Sequence, residues 1–280
     1  MRLAVVSAGL IFAVVSGLAL WRAWNHRADR AEMARLSALQ PSDPVPFRYD
    51  MIAGLPEPAQ RFFRFSIAEG TPLLPVVTIR MHGRFSIGNK DAPNDLAMQA
   101  TQILAAPEGF IWKVKAGAGV MRLSGSDSAK WTRFWIGSIW PVARRGGDAD
   151  HRRAAFGRYV AEAVFWSPAA VLPGPNVRWQ AVDEDTARVT VHHADLTQSV
   201  DLTVSKEGQP TQIVFDRWSD ANPRKTYQFQ PFGGTFSAFQ DFQGYRLPTR
   251  VAAGNFFGTD EYFAFYHAEV DEISFPARSP

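Results

Sequence analysis

From Val177 onward, short runs of β-branched and aromatic residues alternate with turn residues at intervals of about ten. That rhythm predicts antiparallel strands joined by tight connections. Residues 177–182 and 187–193 flank the acidic turn Asp183-Glu184-Asp185, and 198–205 and 212–218 flank Glu207-Gly208-Gln209-Pro210. Segments 225–230, 234–241, 247–253 and 261–273 follow. Earlier, 76–85, 96–104 and 109–115 show the same period of two. A meander of about ten to twelve strands must curl, into a barrel or half-barrel.

Two helices interrupt the strands. Residues 56–69 carry Pro56 and Pro58 in a first turn and are stopped by Gly70 and Pro72. Residues 151–166 follow the N-cap candidates Asp148 and Asp150 and end before Pro168. The expected fold class is α+β, mainly antiparallel β: a curved, half-barrel-like meander with two covering helices, as one domain over 48–280.

The amino-terminal part is different in kind. Residues 3–21 hold no charged side chain, are bracketed by Arg2 and Arg22, and end in the interfacial aromatics Trp21 and Trp24. Nineteen helical residues reach about 28 Å, close to the hydrocarbon thickness of a bilayer. The expectation is a single transmembrane helix, with a cleaved signal peptide as the competing reading. Residues 24–40 extend it as a polar helix, so 1–40 form anchor and extension, and Pro41, Pro44 and Pro46 make 41–47 a stiff linker. The expected location is the inner membrane of the cell envelope, single-pass, with the domain on the extracytoplasmic side.

The formal charge of +3 belongs to this segment. Residues 1–40 hold five arginines against Asp29 and Glu32, which leaves 41–280 neutral. A nucleic-acid-binding domain would carry its own basic surplus, so nucleic acid is not an expected partner. The absence of cysteine excludes disulfides, thiolate metal sites and a cysteine nucleophile. No nucleophile elbow, P-loop, dinucleotide fingerprint or zinc-protease motif occurs, and nothing in the sequence calls for a cofactor or a metal.

Three features stand out as candidate sites. On the 151–166 helix, His151, Arg158 and Glu162 fall within about 40° of one another on an otherwise apolar cylinder. They form either a structural ion pair or a polar patch facing a cavity. The run 131–140 packs Trp131, Phe134, Trp135 and Trp140 into ten residues, as core, as a lid over a ligand cavity, or as a surface resting on the membrane. His192 and His193 alternate along a strand and point to opposite faces, which argues against shared metal ligation.

The segment LPEPAQRFFRFSIAEGTP, followed by RYVAEAVFWSPAAVLPGPNVRW, resembles a bacterial family of membrane-anchored proteins that carry a domain of unknown function. The matching positions of the second motif are Arg158, Tyr159, Glu162, Trp166, Pro168, Leu172, Pro173 and Trp179, and Gly244–Pro248 also fits. The resemblance implies no activity. A second analogy, of architecture alone, is to the lipoprotein-carrier half-barrels of the bacterial envelope.

These readings converge on a membrane-anchored binding module whose partners are membrane lipid and a lipid or other apolar ligand. Trp131, Phe134, Trp135, Trp140, Tyr159, Phe165 and Trp166 would line the site, with Arg158 and Glu162 orienting a head group. The alternatives are a hydrolase-type enzyme using Glu162 or Asp195 with a histidine, and an envelope scaffold.

Overall fold

The structure is a computed structural model that describes residues 2–277, without the side chains of residues 2–6, 8 and 11. Among the described residues, thirteen strands pair into one antiparallel sheet. The first six are β1 (Val77–Ser86), β2 (Asp95–Ala105), β3 (Gly109–Ala116), β4 (Leu123–Ser128), β5 (Thr132–Ile136) and β6 (Trp140–Arg145). The other seven are β7 (Val177–Ala181), β8 (Thr186–His193), β9 (Leu196–Val204), β10 (Pro210–Ser219), β11 (Gln228–Phe242), β12 (Tyr245–Asn255) and β13 (Phe263–Ser274). Two meanders lie side by side and join where β1 pairs with β13, so β6 and β7 are the sheet edges. Gly83 makes that seam possible: a Cβ there would stand 2.1 Å from the His267 carbonyl oxygen.

The sheet curls strongly. In the strand order β6 and β10 are nine steps apart, about 43 Å in a flat sheet. Yet Arg145 Nη1 on β6 lies 2.6 Å from Asp220 Oδ2, the residue after β10. The expected antiparallel meander is therefore observed as a curved sheet, with a helix packed on its inner face.

That helix is α3 (Ala149–Trp166), which carries the chain from edge strand β6 toward edge strand β7 and packs on β2, β3, β9, β10 and β12. Asp148 caps it, accepting a 2.7 Å hydrogen bond from the His151 amide. A second helix, α2 (Glu57–Ser66), seats Phe62 and Phe63 against Trp179.

Two stretches depart from the expected pattern. Residues 131–140 belong to the hairpin of β5 and β6, and β4 precedes it, where no strand was anticipated. Residues 228–230 and 234–241, expected in separate strands, lie in the single strand β11. Within that strand Gly233 and Gly234 serve close packing. A Cβ on Gly233 would meet Phe257 Cγ at 2.5 Å and the Ile213 oxygen at 2.6 Å.

The first helix, α1 (Arg2–Ser37), is continuous through the expected anchor and its polar extension. Among the described residues no helix is long and apolar enough to cross a membrane. The expected span over 3–21 includes positions 3–6, 8 and 11, whose side chains lie outside the described residues.

The polar extension does not stand free in solvent. Asn25, Asp29, Glu32 and Leu36, spaced four, three and four apart, are all buried on the outer face of the sheet. Asn25 Oδ1 accepts from Arg144 at 2.7 Å, Asp29 from Ser126 at 2.8 Å and Glu32 from Lys130 at 2.7 Å. Leu36 packs on Val76, Ile103 and Ile111. Just past the helix, the buried Gln40 amide closes on both backbone groups of Val76, at 2.9 and 3.0 Å.

Candidate functional site

A cavity of about 380 Å³ lies between α3 and the inner face of the sheet. The period of two supplies its walls: Ile213, Phe215 and Arg217 project from β10 on one side of that strand, and Phe232, Gly234 and Phe236 from β11. Phe165, Trp166, Ala161, Glu162 and Arg158 face it from α3, and Phe85, Trp112, Leu123 and Phe134 come from β1, β3, β4 and β5. The exposed Ile87 and Val142 also line it, which puts them at its rim. Three charged side chains interrupt this apolar surface: Arg158, Glu162 and Arg217.

Arg158 is held from two sides. Its Nε donates to Glu162 Oε1 at 2.8 Å and its Nη1 to Asp127 Oδ2 at 2.6 Å. Gln102 donates to the second Glu162 oxygen at 2.6 Å, and Thr132 to the second Asp127 oxygen. The guanidinium lies 4.7 Å from the Phe110 ring centroid and 5.3 Å from that of Trp112. Burial works to lower the Arg158 pKa, but the Glu162 and Asp127 carboxylates outweigh it and raise it. Burial raises the pKa of the nearby Tyr266 phenol, whose hydroxyl contacts Met81 Sδ at 2.9 Å.

Arg217 is the third charge and has a different environment. Its Nε is buried without a hydrogen-bond partner, and its guanidinium sits 4.8 Å from the Phe232 ring centroid. Burial, reinforced by the neighbouring Arg158 cation, brings its pKa down to about 10.

Of the nine side chains expected to form the site, Phe134, Arg158, Glu162, Phe165 and Trp166 line this cavity and the other four do not. The alternation of β5 divides the aromatic run between the two faces of the sheet. Trp135 turns outward against α1, edge-on to Trp21 at 5.3 Å and 4.5 Å from the Arg144 cation. Trp131 also turns outward, packed with Met33 and Leu36, its indole donating to Ser126 at 2.9 Å. Trp140 is 65% exposed. Tyr159 is rotated away on α3, buried between Phe110 and Phe156, and its hydroxyl donates to the Pro107 oxygen at 3.2 Å.

Sequence reasoning passed over Trp112, Arg217, Phe232, Phe236, Phe265 and Tyr266, all in the cavity wall. The one legible signal was Arg217, a charge in the apolar register of Ile213 and Phe215.

The residues considered for acid–base chemistry are not assembled. Asp195 is paired with Arg152 at 2.7 Å on the surface, and His192 Nδ1 contacts the Thr197 hydroxyl at 2.9 Å. His193 approaches Glu108 at 4.0 Å. Glu162 is engaged by Arg158 and Gln102. Among the described residues no group of three or more histidine, aspartate or glutamate side chains has metal-binding geometry.

Fold and site together define an α+β protein whose curled antiparallel sheet and single crossing helix enclose an apolar cavity with a charged patch on its wall. The chain belongs to the family of unknown function DUF6544, whose profile matches residues 45–267. No functionally curated protein matches it. Among solved structures it is similar to a LolA superfamily protein from Nitrosomonas europaea, at 11% identity over 78% of this chain and 91% of that one, with a TM-score of 0.39. It is also similar to a DUF1329 family protein from Desulfovibrio piger, at 10% identity over 81% and 91% of the two chains, with a TM-score of 0.40.

Proposed function

We propose that the protein is a binding module at the cell envelope, holding a lipid or other apolar ligand between α3 and the inner face of the sheet. The cavity carries this reading. At about 380 Å³, walled by aromatic and aliphatic side chains with a few placed polar groups, it has the size and chemistry of a small-ligand pocket. A structural core would close such a space, because unfilled apolar volume destabilises a fold.

In this reading Phe134, Phe165 and Trp166 contact the apolar part of the ligand, and Arg158 with Glu162 forms a rigid polar wall beside it. The amino-terminal part of α1 attaches the module to a membrane. The exposed Leu10, Phe12, Val14 and Leu20 there support that role.

The test is saturable binding of the neutral apolar dye Nile red to the full chain held in an amphipathic polymer. One site is expected. Ala143→Phe, which adds a ring to the cavity wall beside Phe134, is expected to weaken binding about tenfold while the unfolding temperature holds. Linear, unsaturable uptake by the wild type, or a variant that binds as well as the wild type, refutes the proposal.

A further inference from the structure

The charges on the cavity wall are unequally satisfied. Both oxygens of Glu162 accept hydrogen bonds, from Arg158 and Gln102, and both oxygens of Asp127 do so, from Arg158 and Thr132. Asp220, the other acid acting on Arg217, is taken by Arg145 at 2.6 Å. Every carboxylate near Arg217 is thus committed to a different arginine.

Arg217 itself has five N–H donors and no acceptor. Its guanidinium lines the cavity, and the Phe232 ring is its one directed contact among the described residues. Arg158 with its two carboxylates carries one net negative charge, which balances Arg217 at a distance. Distant charge supplies no hydrogen bonds, and a buried donor left unmade is costly, more so when it is charged. The planar fork of a guanidinium fits the two oxygens of a carboxylate or phosphate.

We propose that the cavity takes an amphiphile with an oxyanionic head, a carboxylate or phosphate on an alkyl chain, and that Arg217 binds the head while the aromatic walls bind the chain. This rests on the apolar-ligand reading above and adds the ligand's charge to it. The tail lies against Phe232, Phe236 and Phe165, and the committed Arg158–Glu162–Asp127 cluster repels any second anion.

The experiment compares head groups on one chain length. The full chain, held in an amphipathic polymer and loaded with Nile red, is titrated with dodecanoate, dodecyl phosphate, dodecanol and dodecylamine at neutral pH. Dodecanoate or dodecyl phosphate is expected to displace the dye at a concentration at least about tenfold below that of dodecanol and dodecylamine. The tighter of the two names the head group. Arg217→Gln, each displacement read against that variant's own dye affinity, is expected to bring the oxyanions level with dodecanol, and Arg217→Lys to restore part of the preference.

The wild-type comparison needs no variant, so a misfolded substitution does not blunt the test. Equal displacement by dodecanol and both oxyanions, with dye binding intact, overturns the role of Arg217 and leaves the apolar-ligand reading standing. A preference that survives Arg217→Gln overturns it as well. Failure of the dye itself to bind saturably overturns both.

Discussion

Replacing Arg158 by methionine removes one cation and leaves Asp127 and Glu162 facing each other without it. The three side chains are only 18%, 20% and 16% exposed, so water replaces little of what is lost. Removing one partner of a buried pair costs about 3–5 kcal/mol, and the residual exposure here places the effect near 3. For a domain of this size that lowers the unfolding temperature by about 6–12 °C, at roughly 2–4 °C per kcal/mol. Methionine keeps an unbranched apolar stem but gives up the guanidinium's contacts with Phe110 and Trp112, so the loss reports charge more than volume. Adding Asp127→Asn and Glu162→Gln to Arg158→Met removes the stranded charges but also the negative charge that balances Arg217, so the triple variant is expected to recover about half of the loss. Thermal unfolding followed by circular dichroism reads both steps. A single variant that loses less than about 1 kcal/mol, or a triple variant that recovers nothing, refutes the account of this cluster as a mutually satisfied structural unit.

Two further predictions concern the docking of α1. Gln40→Ala strands the N–H and C=O of the buried Val76, which predicts a loss of about 2–4 kcal/mol and faster hydrogen exchange at the Val76 amide; unchanged exchange refutes it. Burial favours protonation of Glu32, but the hydrogen bonds from Arg35 and Lys130 outweigh it and hold its pKa below the ordinary 4.5. Its contribution to stability is therefore complete above about pH 4.5, where the unfolded carboxyl titrates, and is lost as pH falls through the depressed folded value. Unfolding temperatures measured between neutral and acid pH are expected to fall less steeply in Glu32→Gln than in the wild type; parallel curves contradict the assignment.

Element type was largely readable from local pattern. The turn signals at 183–185 and 207–210, the stop of α3 before Pro168 and the Asp148 cap are short-range features, and each corresponds to an observed turn, helix end or cap. The misreadings share one cause. A break between 230 and 234 looks natural unless the ring of Phe257 and the Ile213 carbonyl are known to press on Gly233. The 131–140 run looks like one aromatic patch unless β5 is known to be a strand with a different neighbour on each face. The 24–40 helix reads only as polar, with no docking face marked, because its buried side Asn25, Asp29 and Glu32 is as polar as its wet side.

The sequence alone determined an antiparallel, curled architecture with an apolar amino-terminal helix, because period, turn residues and charge distribution act over a few neighbouring positions. It also marked Arg158 and Glu162 as partners, since four residues apart on a helix is itself a contact. Only the tertiary structure decided which aromatic side chains share a cavity. Residues as distant in the chain as Phe85 and Phe265 reach it because β1 and β13 meet at the sheet centre and curvature turns the strands toward α3. The same long-range closure places Arg217 among acids that other arginines already hold. Its unmet hydrogen bonds depend on what surrounds it in space, and no local pattern of residues records that.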